Sequence, residues 1–425
     1  MATITAVTAS PPWPNPGMAS VDLALPALLR RHGIEARLRL VRLYTPAEWR
    51  TGLPELEERL ARLHAFPYEY ELLRGNTAAL YESDAILFWG DFLHSFDYLH
   101  QMTATLVRIG AARDEAEAAR EVYRSFYLAD APEEVLARAV AFGGTLVFNR
   151  ERDYHQPAYA RQLGRFVRGA RGVWMRDVYS ALRVADLRGS FSLGVDCALL
   201  LRDEDLDLLP GTGWDPGGDP AGAAGIFFGR TEANARRLGR FSRDVCRKLG
   251  ATPEWLPWFD ASQRPNHLPA VREAVPGLRV AGEPPIPAVG DLLRRLGRYR
   301  FVISDTYHVC LNAWRAGVPA LCIGEASPGL HTYDVSTGWC CAWRDKRQVF
   351  LAMHDAMEFY VFEEELASRL GYANRLLYTV HLLEDRRNAE EIAARIRARS
   401  DTAERALVPA LAALAGRRAP AEATA

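Results

Sequence analysis

The chain has 425 residues, of which 49% are apolar and 25% charged, and its formal net charge is −1. This length predicts two domains, and the composition excludes a disordered chain and lacks the basic field of a nucleic-acid binder. There is no apolar run of membrane-spanning length and no charged segment leading into an apolar one at the start, so a cytoplasmic protein is expected.

In chain order, the first half predicts an α/β domain. Its predicted strands are 4–8, 34–43, 85–88, 145–148, 173–175 and a short one within 191–201. Its predicted helical segments are 20–31, 46–81 and 106–141. Residues 210–225 are dense in Gly, Pro and Asp and predict a linker.

A second α/β domain is expected from residue 226, with a helix over 233–249 and a strand near 255–259. Residues 348–397 are mainly helical in pattern, and 404–416 predict a last helix. We therefore divide the chain into an N-terminal domain (1–209), the linker (210–225), a C-terminal domain (226–400) and a final helix with its tail (401–425).

The most informative stretch is 299–325. An apolar strand (301–304) precedes a helical pattern that Gly317 and Pro319 end, and a second strand follows at 320–323. This pattern predicts a βαβ unit whose chemistry lies outside the carboxyl ends of the strands. Ser304, Thr306 and His308 occupy the turn there.

The spacing of His308, Ala313, Gly317 and Pro319 after a buried strand resembles the C-terminal signature of the polysaccharide pyruvyltransferase family. A second match lies at 173–180, where a strand ends in Arg176-Asp177 and Ser180 follows; Asp196 matches an Asp that precedes an apolar run in the family. The resemblance implies two Rossmann-like domains in a GT-B arrangement, within the α/β class.

The resemblance also implies transfer of a pyruvyl group from phosphoenolpyruvate to a saccharide, without a cofactor. His308 would be the general acid, and Arg176 would hold the anionic groups of the donor. Thr306 stands where the family has Arg, which leaves the identity of the donor open, but Ser304 and Thr306 could still bind the donor by donating hydrogen bonds to a phosphate. Arg230, Arg315 or Arg347 could supply the missing positive charge.

Other candidate residues come from the ends of predicted strands. Asp91 follows Gly90 and is a candidate base for an acceptor hydroxyl, Arg230 is a candidate phosphate ligand, and Glu325 could bind a sugar hydroxyl. Asp91, His94, Asp97 and His100 recur every three residues, and we interpret them as a polar helix face rather than a metal site.

Two alternatives remain open. A GT-B glycosyltransferase using a nucleotide sugar would explain both Thr306 and Glu325, and a non-catalytic relative would keep only the fold. In the enzyme hypotheses the first domain holds the acceptor and the second the donor. The six cysteines are expected to be buried free thiols, and we attribute the presence of only two lysines, Lys248 and Lys346, to codon composition.

Overall fold

The computed structural model describes residues 1–10, 15–44, 48, 68–207, 209, 211, 214, 219–230, 234–259, 267–280, 287–325 and 345–416. Within these residues the chain forms two parallel six-stranded sheets, one in each half. The predicted α/β class with two Rossmann-like domains is confirmed. None of the described helices is both long and apolar enough to cross a membrane.

The N-terminal domain alternates strands with helices. Its strands are β1 Ala2–Thr8, β2 Ala36–Arg42, β3 Tyr70–Leu72, β4 Ala85–Trp89, β5 Ala139–Gly144 and β6 Gly172–Met175. Its α-helices are α1 Pro16–Arg31, α2 Ala78–Tyr81, α3 Phe96–Arg108, α4 Glu115–Tyr127, α5 Glu133–Leu136, α6 Glu151–Tyr154, α7 Pro157–Gly169, α8 Val178–Arg188 and α9 Asp203–Leu206.

The C-terminal domain follows the same alternation. Its strands are β7 Ala223–Phe227, β8 Thr252–Trp255, β9 Arg279–Val280, β10 Phe301–Ser304, β11 Ala320–Gly324 and β12 Tyr360–Phe362. Its α-helices are α10 Ala235–Leu249, α11 Leu268–Ala274, α12 Val289–Leu296, α13 Tyr307–Arg315, α14 Lys346–Met353, α15 Arg369–Glu384 and α16 Arg386–Leu414.

Both sheets have the strand order of a doubly wound fold. The first runs β3-β2-β1-β4-β5-β6 and the second, read from its opposite edge, runs β9-β8-β7-β10-β11-β12. The order therefore reverses between β1 and β4 and between β7 and β10. Crevices at such reversal points, outside the carboxyl ends of the strands, are where open α/β sheets bind ligands.

The two domains share a continuous apolar core. One cluster of buried side chains includes residues of α1, of the second sheet and of α16, while a second cluster lies within the N-terminal domain. Helix α16 reaches back to the N-terminal domain, where Glu404 pairs with Arg31, His32 and Arg202. The C-terminal helix thus ties the two domains together on the side where α1 ends.

The predicted βαβ unit is confirmed. β10 occupies Phe301–Ser304, α13 follows it, and Gly317 has a φ of +77°, the left-handed conformation that lets a glycine end a helix. Asp177 caps α8 by accepting the amide hydrogen of Ser180 at 2.8 Å. α1 begins at Pro16, four residues before the predicted start, because the side chain of Asn15 caps it.

Several predicted elements of the N-terminal domain were wrong. The predicted helix 46–81 lies largely outside the described residues, and its last part contains β3 and α2. The predicted helix 106–141 is divided among α3, α4 and α5, and the strand placed at 145–148 is β5, several residues earlier. β5 ends at Gly143-Gly144, where Gly143 has a φ of +73° and lets the thiol of Cys197 approach.

Other differences concern lengths and boundaries. The strand expected within 191–201 is a 3₁₀ turn at Cys197–Leu200, which Asp196 caps by accepting the amide hydrogen of Ala198 at 3.1 Å. β8 begins earlier than predicted, and β7 begins inside the predicted linker. The predicted boundary at residue 400 falls within α16, which is continuous there.

Candidate functional site

A cavity of about 690 Å³ lies where the carboxyl ends of the two sheets face each other. Segments that follow β1, β4, β7 and β10 contribute to its lining. The C-terminal domain contributes Arg230, Phe259, Thr306, Tyr307, His308 and Lys346. The N-terminal domain contributes a wall that includes Tyr44, Asp91, Phe92, Tyr98, Gln101 and Arg108. The cavity is within the size range of small-molecule sites and is shared by both domains.

His308 lies in the first turn of α13 and lines this cavity, as predicted for a site residue. It packs against the first turn of α1, since a Cβ added to Gly17 would lie 2.5 Å from the Cβ of His308. Its Nε2 has no hydrogen-bond partner among the described residues and lies 3.9 Å from the nearest carboxylate oxygen of Asp196.

Burial lowers the pKa of His308 to about 3, although Asp196 opposes the shift. With only protein groups around it, the imidazole is therefore neutral near pH 7 and suits a proton acceptor. The predicted role of general acid requires an imidazolium, which a bound anion would have to stabilise. The acid role stays a prediction.

Asp91 follows β4 and is one of the few described non-glycine residues with a positive φ, at +52°. Gly90 before it is also left-handed, so the chain turns sharply and presents the carboxyl group to the cavity. Its Oδ1 is buried without a hydrogen-bond partner in the described structure. Burial raises the pKa of Asp91, and Lys346 and Arg176 only partly oppose this rise.

Lys346 is a site residue that the sequence reasoning missed. It is the first residue of α14, and its Nζ lies 4.6 Å from the ring centroid of Phe92 and 4.8 Å from that of Tyr307. Burial and then Arg176 lower its pKa to about 7. The rarity of lysine could have drawn attention to Lys346, because only one other lysine, Lys248, occurs among the 52 basic residues.

Arg176 lies behind the same two rings and not in the main cavity. Its guanidinium is 5.2 Å from the Phe92 centroid and 5.3 Å from the Tyr307 centroid, and it lines a separate recess of about 20 Å³. Its Nη1 pairs with Asp196 at 2.8 Å, while its Nη2 has no hydrogen-bond partner in the described residues. The position does not favour the predicted contact between Arg176 and a donor.

Asp196 connects the groups behind the cavity. It accepts hydrogen bonds from Arg176 and, at 3.1 Å, from the Tyr307 hydroxyl. Burial by itself would raise the pKa of Asp196, but Arg176 outweighs it and the pKa is held below its usual range. Asp196 is thus an ionised carboxylate that orients Tyr307 and faces His308.

Ser304 and Thr306 are held within the protein. The hydroxyl of Ser304 donates to the carbonyl of Phe227 at 2.7 Å and accepts from the amide of Thr306, so Ser304 is fully buried and absent from the cavity lining. The Thr306 hydroxyl donates to Asp305, although the residue does line the cavity. The predicted substrate contact is therefore favoured for Thr306 and not for Ser304.

The three arginines considered as substitutes for the missing family Arg have different positions. Arg230 lines the cavity, and its backbone amide donates to Asp305 at 2.8 Å. Arg315 pairs with Asp203, and Arg347 pairs with Asp345 and donates to the carbonyls of Asp305 and Ile323. Of these three arginines, only Arg230 lines the cavity.

Glu325 does not line this cavity in the described structure, and of Asp91, His94, Asp97 and His100 only Asp91 lines it, so the interpretation of these four residues as one polar helix face is wrong. The side chain of Glu325 is exposed, and its carbonyl accepts from Gln348 and Tyr360. His94 packs against aromatic rings before α3 begins, so the residues at 91–100 do not share one helix face. The described residues contain no metal-binding cluster.

Four cysteines are buried and free; Cys340 and Cys341 lie outside the described residues.

The fold matches solved structures, whereas no protein-family model and no curated protein matches the sequence. A UDP-GlcNAc 2-epimerase from Neisseria meningitidis, bound to UDP-GlcNAc, has a TM-score of 0.53 and 11% identity, covering 96% of this chain and 99% of that chain. The S. aureus MnaA–UDP structure has a TM-score of 0.51 and 10% identity, covering 97% and 96%.

Another UDP-N-acetylglucosamine 2-epimerase has a TM-score of 0.51 and 11% identity, covering 98% of this chain and 97% of that chain. Matches at such low sequence identity show a similar fold and do not show a shared function. They confirm the predicted GT-B arrangement, and they add no support for membership of the polysaccharide pyruvyltransferase family. The chain is therefore similar, over nearly its whole length, to proteins of the GT-B architecture.

Proposed function

We propose that this protein is a carbohydrate-active enzyme that binds a nucleotide sugar in the interdomain cavity and transfers the sugar to an acceptor hydroxyl. The observation that carries this proposal is the cavity itself, at which both strand-order reversals meet. The fold neighbours whose structures contain UDP or UDP-GlcNAc support the nucleotide-sugar alternative over pyruvyl transfer.

The C-terminal wall suits the diphosphate of such a donor. The first-turn amides of an α-helix have no partners within the helix, and α13 begins at the cavity with Tyr307 and His308. Arg230 adds a positive charge beside this helix terminus. Asp305 fixes both segments, because it accepts the amide hydrogens of Gly229 and Arg230 and the hydroxyl of Thr306.

The N-terminal wall suits the acceptor. Tyr44, Tyr98 and Phe92 offer apolar ring surfaces, and Gln101 and Arg108 offer polar groups. Asp91 on the same wall would accept the proton of the attacking hydroxyl. Burial raises the pKa of Asp91 towards neutral pH, where a general base is most effective. His308 is neutral and its Nε2 has no hydrogen-bond partner among the described residues, so it would exchange a proton with a hydroxyl or a phosphate oxygen of the substrate.

Pyruvyl transfer is the second candidate, retained because Arg230 and the protonated form of Lys346 bring positive charge to the cavity. Phosphoenolpyruvate needs cationic partners for a phosphate and a carboxylate. The position of Arg176 behind Phe92 and Tyr307 removes the cation that the family resemblance assigned to this donor. The nucleotide-sugar proposal has no such requirement for Arg176.

Thermal unfolding in the presence of UDP, UDP-GlcNAc and phosphoenolpyruvate separates the candidates. A ligand that binds only the folded protein stabilises it by about 2.7 kcal/mol at a hundred times its Kd. We expect UDP and UDP-GlcNAc to raise the Tm, and Arg230→Ala to abolish the shift. Arg236→Ala is the matched control, since Arg236 is an exposed arginine of α10 paired with Glu273.

Each outcome has a defined meaning. A Tm shift with phosphoenolpyruvate alone would overturn the nucleotide-sugar proposal in favour of pyruvyl transfer. If UDP-GlcNAc binds and is converted to another UDP-sugar without an acceptor, the reaction is isomerisation and the transfer step is wrong. Absence of any shift across a wider panel of nucleotides and nucleotide sugars would favour the non-catalytic alternative.

A further inference from the structure

The side chain of Lys346 occupies an unusual place for a lysine. It is partly buried, lines the cavity, and holds its amine over the faces of Phe92 and Tyr307, one ring from each domain. None of the described carboxylates forms an ion pair with it, and the ring faces are its direct neighbours. The amine thus borders the space that a ligand in the cavity would occupy, and the two rings cover part of it.

The charged groups around Lys346 do not favour a permanent ammonium. Arg176 lies over the same two rings and Arg230 lines the same cavity, so two cations face the amine. Asp91 and Asp196 attract the ammonium but do not offset burial and the two arginines, and the pKa of Lys346 is about 7. Tyr307 and neutral His308 line the same cavity, and Asp177, His354 and Arg399 line the adjoining recess that Lys346 also borders. The neutral amine is therefore much more accessible at neutral pH for Lys346 than for an ordinary lysine.

We infer that Lys346 is a nucleophilic amine that forms a reversible imine with an aldehyde or ketone bound in the cavity. Desolvation and a neighbouring cation are the two means by which proteins activate a lysine for such chemistry. This inference does not rest on the nucleotide-sugar proposal, because it concerns a reactivity of the side chain that any carbonyl compound of suitable size can test.

The reaction needs no other reagent to form the imine. The lone pair of Nζ attacks the carbonyl carbon, a C–N bond forms, and the carbonyl oxygen takes up a proton. The hydroxyl of this carbinolamine then leaves as water after a second protonation, while the nitrogen loses its protons to give the neutral imine. Asp91 lines the same cavity and its raised pKa makes it a suitable donor for the departing water.

The test is reductive trapping with glyoxylate and sodium cyanoborohydride at pH 7, followed by peptide mass mapping. The borohydride reduces the imine to a stable secondary amine and leaves a carboxymethyl group on the lysine. The chain provides its own reference, because its one other lysine, Lys248, lies exposed on α10. An ordinary lysine has a pKa of about 10.4, so less than about 0.1% of it is unprotonated at pH 7.

We expect Lys346 to be labelled at least about tenfold faster than Lys248, after allowance for the weaker nucleophilicity of a less basic amine. Unfolding the protein in urea should make the two rates equal, since the selectivity belongs to the fold. Lys248→Arg should leave the labelling of Lys346 intact. Lys346→Arg should remove the fast label from the folded protein.

Equal rates at Lys346 and Lys248 in the folded protein would overturn the inference, as would labelling at Lys248 alone. Because the comparison is made within the unsubstituted chain, it does not depend on whether a variant folds. A nucleotide sugar that binds in the cavity should protect Lys346. Fast labelling without protection by any nucleotide would support the imine and contradict the nucleotide proposal, so the two proposals fail separately.

Discussion

At the scale of single residues, the cavity brings together three groups whose proton affinities are shifted by one cause. Burial raises the pKa of Asp91 and lowers those of Lys346 and His308 to about 7 and about 3. Burial disfavours every charged form, so acids and bases move in opposite directions. Burial therefore moves the pKa of the carboxyl and the pKa of the amine towards neutral pH, where general acids and bases are most effective.

The first prediction concerns His308. We expect His308→Gln to lower kcat for the nucleotide sugar that stabilises the protein by roughly 10² to 10⁴, the usual effect of losing a proton-transfer group. The Kd measured by calorimetry should change by less than about threefold, because glutamine keeps the Cβ packing against Gly17. His100→Gln, at an exposed position of α3, is the control.

The same measurements would reveal a purely structural role for His308, if it has one. If kcat/KM and the affinity for the nucleotide fall by the same factor, the imidazole contributes to binding and packing and has no separate role in the chemical step. A loss of both activity and Tm would likewise show that its contact with α1 is its main contribution.

At the scale of elements, the first turns of α1 and α13 form a close interdomain contact. Gly17 faces His308, and the side-chain amide of Asn312 donates to the hydroxyl of Ser20 at 3.1 Å. The contact requires glycine because a Cβ at residue 17 would meet the root of the His308 side chain, which has no freedom to move. These two helix starts therefore fix the distance between the two walls of the cavity.

The second prediction follows from that contact. We expect Gly17→Ala to reduce the free energy of unfolding by about 1–3 kcal/mol, as overpacking of a core usually does, and to weaken nucleotide binding. Gly164→Ala in α7 is the matched control. There a Cβ would lie 3.1 Å from the guanidinium of Arg168, which can move, so stability should rise by up to about 1 kcal/mol.

Urea unfolding measures the change in the free energy of unfolding for both variants. Equal stabilities for Gly17→Ala and Gly164→Ala would mean that α1 and α13 can separate without cost, and that their contact does not set the width of the cavity.

The third prediction concerns Asp305, which joins the turns after β7 and β10. Its carboxylate accepts the amide hydrogens of Gly229 and Arg230, each at 2.8 Å, and it is fully buried. Asp305→Ala would remove the carboxylate that accepts from both amides, so we expect a loss of about 3 kcal/mol in the free energy of unfolding. Asp305→Asn keeps one acceptor oxygen and should lose about half as much.

Chemical denaturation measures both Asp305 variants. A loss below about 0.5 kcal/mol for Asp305→Ala would contradict the role assigned to these hydrogen bonds. Binding of UDP to the asparagine variant adds a functional measure, since Arg230 should then be less well positioned.

At the scale of the whole molecule, we expect the folded protein to lose stability in acid because several of its imidazoles are buried. Burial lowers the pKa of His94 and His308 to about 3 and that of His354 to about 4. The unfolded chain binds these protons below about pH 6.5, whereas the folded protein does not until the pH approaches the lowered values. Their contribution to stability is therefore complete above pH 6.5 and is lost as the pH falls towards 3.

The fourth prediction uses His94 to test this explanation. We expect His94→Phe to remove about 2 kcal/mol of the stability lost between pH 7.5 and pH 5, because one imidazole no longer takes up a proton on unfolding. The ring of His94 packs against Phe88, Phe166 and Tyr127, so phenylalanine suits the site. Urea unfolding at both pH values measures the effect, and the difference at pH 7.5 gives the change in packing alone.

Parallel pH profiles for the wild-type protein and His94→Phe would contradict the assignment and would place the acid sensitivity on the carboxylates. Asp196 and Asp345 have lowered pKa values, and their contribution would be lost at lower pH, as they become protonated.

The sequence by itself determined the local parts of this protein. The apolar run 301–304, the glycine at 317 and the pair Arg176-Asp177 each predicted an element that the structure contains, because strand burial, helix termination and helix capping depend on neighbours a few residues away. The sequence also placed His308 and Asp91 at strand ends, where α/β folds bind ligands.

The tertiary structure alone decided which of these residues meet and in what charge state. Asp91, His308 and Lys346 are far apart in sequence, and Arg176 is separated from the cavity by two rings that come from different domains. The spacing of apolar residues along the sequence carries no information about such long-range contacts. Burial, which shifts the pKa of each group, depends on the packing of both domains. The sequence could therefore name His308 and Asp91 as candidates, whereas the place of Lys346 in the cavity and the charge states of all three groups depended on the fold.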